Sequence, residues 1–144
     1  MKSDFLFSSG SSSSRVDIAS LILRLVVASS ILYGHGLSKF QKVLEGGDIE
    51  FVNFLGLGMN TTFIIVVFAE FICAALTVIG LFTRIALIPL LINMAYIVFV
   101  VHKADDFGSK ELPLIYLAVW FALFMLGPGK YSLDRMIRNR KNTV

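Results

Sequence analysis

The sequence predicts an all-α membrane protein, a four-transmembrane-helix bundle with a short interfacial C-terminal amphipathic segment. Three observations carry that prediction. Hydrophobic residues fill 56% of the 144 positions and charged residues only 16%, against roughly 25% charged in an average soluble protein, and the mean hydropathy is +0.79. The apolar residues gather into four continuous runs, residues 18–37, 61–82, 85–101 and 112–126, and a helix needs about 20 such residues to cross a bilayer core. Runs of this length are not the alternating strands of about 10 residues that build a barrel.

The first 16 residues read as a disordered tail, because the tract Ser8-Ser9-Gly10-Ser11-Ser12-Ser13-Ser14 has nothing to bury. Its one apolar triplet, Phe5-Leu6-Phe7, is far short of a signal-peptide core of about 7–15 residues, so the first run is expected to remain in the protein. Residues 17–129 form the membrane domain. Between the first two runs, Phe51-Val52-Asn53-Phe54-Leu55-Gly56-Leu57-Gly58 is too short to span and suggests an interfacial or re-entrant piece. Phe82-Thr83-Arg84 is a tight turn, which makes the second and third runs an antiparallel hairpin. The fourth run is short for a span and is preceded by a polar loop, residues 102–111. Gly127-Pro128-Gly129 stops it, and residues 130–144 read as a basic amphipathic segment on the membrane surface, with Ser132 as N-cap and Asp134 in the first turn.

Charge fixes the expected orientation. Lys2, Arg15, Arg84, Lys130, Arg135, Arg138, Arg140 and Lys141 fall on the side of the termini, and Lys39, Lys42, Lys103 and Lys110 on the other, diluted by acids. Both termini are therefore expected in the cytoplasm of a bacterium, with the chain a multi-pass protein of its inner (plasma) membrane. The net charge of +3 belongs to these flanks and to anionic headgroups, so the lipid bilayer is the expected partner and nucleic acid is not. The single cysteine, Cys73, rules out an intrachain disulfide and a CxxC redox pair.

Chemistry is concentrated in the first two runs. On a regular helix Arg24, Ile31, His35 and Lys39 share one sector. Glu70 is the acid within a hydrophobic run, and each charge at the centre of a membrane helix costs roughly 2.5–3.5 kcal/mol, so such residues face the bundle and pair. Axial arithmetic puts Arg24 about 10 Å and Glu70 about 18 Å from the same membrane edge, within reach of an ion pair. Glu70 is the first candidate for proton handling or ligand binding and His35 the second. Thr77 and Cys73 flank Glu70 and would add a weakly polar lining. His35, Lys39 and His102 would form a basic outer vestibule, and Asn93 and Trp120 join Arg24, His35, Lys39 and Glu70 as ligand-binding candidates. Two histidines without a spacing motif do not argue for a metal. A competing reading gives the same charges no ligand: they lock helices together in a scaffold or a carrier of small molecules or lipids.

These residues lie within a wider pattern: Leu23-Arg24-Leu25, His35-Gly36-Leu37-Ser38-Lys39-Phe40, then Glu70 with Gly80-Leu81-Phe82-Thr83-Arg84, and Gly127-Pro128-Gly129-Lys130-Tyr131-Ser132-Leu133-Asp134. In these pieces and their order the chain resembles the DoxX family of small four-helix bacterial membrane proteins. The resemblance implies an inner-membrane protein, and members are linked to membrane-associated oxidoreductase complexes and to a small quinone-reducing subunit of thiosulfate oxidation. Family arguments that rest on cysteine pairs do not transfer to a chain with Cys73 alone. The resulting expectation is a subunit of a quinone-linked oxidoreductase system. It has no intrinsic cofactor, it binds a quinone at Glu70, redox partner proteins supply its electrons, and a homo-oligomer is compatible with it.

Overall fold

The computed structural model describes residues 13–47 and 49–141. Four helices are long and apolar enough to cross a membrane: α1 (Ser14–Glu45), α2 (Met59–Ile79), α3 (Thr83–Val101) and α4 (Phe107–Leu126). A fifth helix, α5 (Leu133–Lys141), comes after them. Each spanning helix packs on its neighbours in chain order and α4 returns to α1, closing an up-and-down bundle. One end carries the α2–α3 turn and α5, and is called here the turn end. The other carries the long α1–α2 connection and is called the loop end.

The core is a column of small and branched side chains: Ala28 and Ile31 of α1, Cys73 and Ala74 of α2, Ala86, Leu87, Leu90 and Met94 of α3, with Trp120 and Leu123 of α4. Alanines let the backbones approach, and the larger residues fill the remaining space. Cys73 sits inside this column as a buried thiol, the role its apolar run suggests.

Helix bounds depart from the hydropathy runs for local reasons. Helix α1 is 32 residues long, about 48 Å, because its last turns, including Lys39, Gln41 and Lys42, are polar yet helix-forming. It begins at Ser14, three positions inside the segment read as a tail; residues 1–12 of that segment lie outside the described residues. Helix α2 stops at Ile79 because Gly80 adopts the left-handed conformation at φ 73°. Helix α4 starts at Phe107, five residues before its apolar run, and carries Pro113 in its interior.

At the turn end, polar side chains finish helices that their own sequences leave uncapped. Asp134 accepts from the N–H groups of Phe82 (2.7 Å) and Thr83 (3.0 Å) and from Thr83 Oγ1 (3.0 Å), capping the start of α3 from beyond α4. Phe82 holds φ 47°, a left-handed value unusual for a residue with a Cβ. Arg84 donates to the carbonyls of Phe124 (3.0 Å) and Met125 (3.2 Å), the last turn of α4. Asp17 accepts from Lys130 N–H (2.8 Å), and Ser20 donates to Gly127 O (2.8 Å). Ser132 accepts from Arg135 N–H at 3.3 Å, the expected cap of α5.

Candidate functional site

Several stretches of α1, α2 and α3 are π-helical, among them Leu32–Gly36, Phe68–Cys73 and Ile97–Val101. Each π turn adds a residue relative to a regular helix and rotates the rest of the helix about its axis. On α1 the buried positions run Arg24, Ala28, Ile31 and then Gly36. His35, which regular spacing would bury, is exposed. Gly36 instead meets α2 so closely that a Cβ there would overlap the Glu70 carbonyl oxygen. That approach, with Phe40 stacked on Phe71 at 4.3 Å, aims Lys39 across the helix interface.

Lys39 Nζ reaches Glu70 Oε2 at 2.5 Å. Asn93 Nδ2 of α3 donates to Glu70 Oε1 at 2.8 Å. Three helices thus contribute one side chain each, and both carboxylate oxygens are occupied. Glu70 stands 11 residues into α2, about 17 Å from its loop-end start and near mid-membrane. Its side chain is 3% exposed, while that of Lys39 is 24% exposed. The anion is therefore held and the cation sits at an edge, with room to turn.

The room is a cavity of about 530 Å³ whose lining includes Lys39, Glu70 and Asn93. Apart from Thr62 and His102 its other walls are apolar and aromatic, with Phe51 and Phe54 from the α1–α2 connection and Ile92 and Tyr96 from α3. The connection forms a short 3-10 turn, Phe54–Gly56, and lies against α2 and α3 as the interfacial piece expected there. Volume, apolar walls and a few convergent polar groups are the ordinary attributes of a small-molecule site.

The expected pair of Arg24 with Glu70 does not form. Arg24 is fully buried, but its guanidinium turns to the turn end and donates to Tyr131 O (2.5 Å) and Val78 O (3.4 Å). Val78 lies in the last turn of α2 and Tyr131 precedes α5, so carbonyls without helical partners lie nearer to Arg24 than the carboxylate does. Gly80 makes space for it, since a Cβ there would overlap Arg24 Nη1. Arg24 is thus absent from the cavity lining, as are His35 and Trp120. Trp120 is fully buried in the core and stacks on Tyr116 at 6.2 Å, and its Nε1 has no hydrogen-bond partner among the described residues. Thr77 and Cys73 also stay out of the lining; Thr77 Oγ1 bonds to the Cys73 carbonyl at 2.8 Å.

Of the expected vestibule, Lys39 and His102 line the cavity. His102 Nδ1 lies 2.7 Å from Asp105 Oδ2 at the loop end. Among the described residues no three His, Cys, Asp or Glu side chains come together as a metal site requires. Sequence reasoning missed Asp17 and the tie of Asp134 to Thr83. An acid directly before an apolar run was the available signal for Asp17 itself, though not for its partner, and the second left none.

Comparison with known proteins finds one family and one relative. The chain is 31% identical over 128 residues to a Bacillus subtilis (strain 168) protein named "Putative oxidoreductase CatD", with 88% of this chain and 92% of the relative covered. No solved structure matches it. A family model described as DoxX matches residues 19–103, a stretch that holds Arg24, Gly36, Lys39, Glu70 and Asn93 together, and the chain belongs to the DoxX family of membrane proteins.

Proposed function

We propose that this protein is the membrane-embedded subunit of a quinone-linked oxidoreductase system and that a quinone binds in the cavity at Lys39, Glu70 and Asn93. The observation that carries this reading is a charge-paired triad at mid-membrane depth opening on an apolar space. A purely structural ion pair gains nothing from a void beside it, because empty volume costs packing energy.

The residues fit such a group. Phe51, Phe54 and Tyr96 offer ring faces and edges to a planar head, and Lys39 at the cavity edge offers donors to a ring carbonyl. A bound quinone would supply two-electron carrier chemistry that no residue of the chain supplies, with electrons from a partner protein. Glu70, fixed by Asn93, pairs with Lys39 while no ligand is present and is the acid nearest a ligand to which Lys39 turns. Arg24 takes a structural part. The name of the Bacillus relative supports the oxidoreductase class, and the count of Lys and Arg by side supports cytoplasmic termini in a bacterial plasma membrane.

The test is to purify native protein and Glu70→Gln in mild detergent and identify by mass spectrometry what each carries. A quinone in the native form, absent from a variant that still elutes and melts as folded protein, is the expected result. Equal content in both forms, or no specific lipophile in either, overturns the reading.

A further inference from the structure

The cavity borders two surroundings, and the fold treats them unequally. Toward the loop end it is covered. Phe51 packs edge-on against Phe63 at 5.1 Å and Phe54 edge-on against Tyr96 at 4.5 Å. Phe54 N–H donates to Thr62 Oγ1 (3.0 Å), Asn53 Oδ1 accepts from Gly58 N–H (2.8 Å), and the Lys39 ammonium lies 5.9 Å from the Phe51 ring centre. Rings and hydrogen bonds thus tie the connection down onto α2 and α3.

The flank is different. Between α2 and α3 the cavity wall includes Ile65, Phe68 and Ile92, which are 46%, 50% and 56% exposed. Ile65 and Phe68 lie about 9–14 Å along α2 from its loop-end start. At that depth an exposed side chain meets hydrocarbon, not water. The polar triad therefore closes the inner end of a space whose less guarded side faces lipid.

We propose that the cavity loads sideways from the bilayer, between α2 and α3, and that its occupant is an amphiphile dissolved in the membrane. The occupant has a small carbonyl-bearing ring head, which meets Lys39 and Asn93, and a long apolar tail that stays between Ile65 and Ile92 and runs out into lipid. This inference rests on the quinone-site reading above and adds the route and the need for a tail. A water-borne substrate would have to displace the aromatic cover.

The experiment loads protein in lipid nanodiscs with menaquinone-4 or with menadione, the same head without a tail. Quinone retained per protein is followed over time by mass spectrometry after detergent exchange. Glu70-dependent retention of menaquinone-4 is expected to exceed that of menadione at least about tenfold, since menadione has no tail and escapes into water, an exit that as few as two tail methylenes make about tenfold less favourable. Ile65→Trp with Ile92→Trp is expected to slow loading of menaquinone-4 about tenfold, as a narrowed entry acts on rate. Ile65→Ala with Ile92→Ala hastens loading, so the test survives if the bulky pair fails to fold. Asn53→Ala, which loosens the cover by removing the acceptor of the Gly58 N–H and does not line the cavity, leaves the rate unchanged. If Asn53→Ala hastens loading while both flank variants load at the native rate, or if menadione is held as well as menaquinone-4, the sideways route falls and a Glu70-dependent quinone site remains. If neither probe shows Glu70-dependent retention, the site reading fails and takes the inference with it.

Discussion

The turn end and the middle of the bundle bury charge in opposite ways. At the turn end Arg24 and Arg84 donate to main-chain carbonyls, and Asp17 and Asp134 accept from main-chain N–H groups. At mid-membrane depth, where the cavity opens toward the loop end, Lys39 meets Glu70 side chain to side chain, with Asn93 completing the carboxylate. Partners on the main chain are fixed by the helices, so the turn end gains rigidity and has no freedom to exchange them. Side-chain partners beside a cavity can trade one another for a ligand. Buried charge thus serves as a clamp at the turn end and forms the candidate site deeper in the bundle.

That contrast can be broken by substitution. Arg24→Met removes a buried donor set and leaves the Tyr131 and Val78 carbonyls unpaired, and a loss of about 3 kcal/mol is expected; thermal unfolding in detergent reads it, and quinone retention by whatever folds stays native. Asp134→Ala frees the α3 start and costs about 2 kcal/mol by the same readout, the range for charged hydrogen bonds and lost caps. Gly36→Ala sharpens the comparison, because it forces α1 away from Glu70. It costs up to about 2 kcal/mol, as overpacking does, and unlike the turn-end variants it also lowers ligand retention by separating Lys39 from Glu70. His35→Ala marks the bottom of the scale: an exposed residue outside the cavity, it is expected to change stability by less than about 0.5 kcal/mol and to leave retention unchanged. A ligand effect from His35→Ala, or none from Gly36→Ala, would contradict the geometry of α1.

Much of the fold was legible because membrane helices announce themselves by continuous hydropathy, and the tight Phe82-Thr83-Arg84 turn dictated the hairpin. Half of the candidate site was legible too. The cost of burying charge singled out Glu70, and Lys39 and Asn93 were among the polar residues available to meet it. The assumption of an even helical period misled. The π segment at Leu32–Gly36 puts a glycine where a regular helix would put His35, and no residue pattern in that stretch reports the extra residue. Arg24 was misassigned because depth arithmetic compares side chains with side chains, and its partners are carbonyls. The bond from Asp17 to Lys130 joins residues at opposite ends of the chain, and one sequence carries no mark of such a pairing.

The cap on α3 has a consequence for biosynthesis. The carboxylate that closes the α3 start belongs to Asp134, more than fifty residues downstream in the order of synthesis. While α3 and α4 are entering the bilayer, the α2–α3 hairpin has a left-handed Phe82 and open N–H groups with nothing to hold them. Only after α4 is across and the next few residues have emerged can the turn be closed from outside. The latch on the α2–α3 turn is therefore supplied by α5: a chain halted after Gly129 has the spans α1 to α4 and still lacks it. Pulse-chase of such a truncated chain against the full one is expected to show normal insertion and then faster loss.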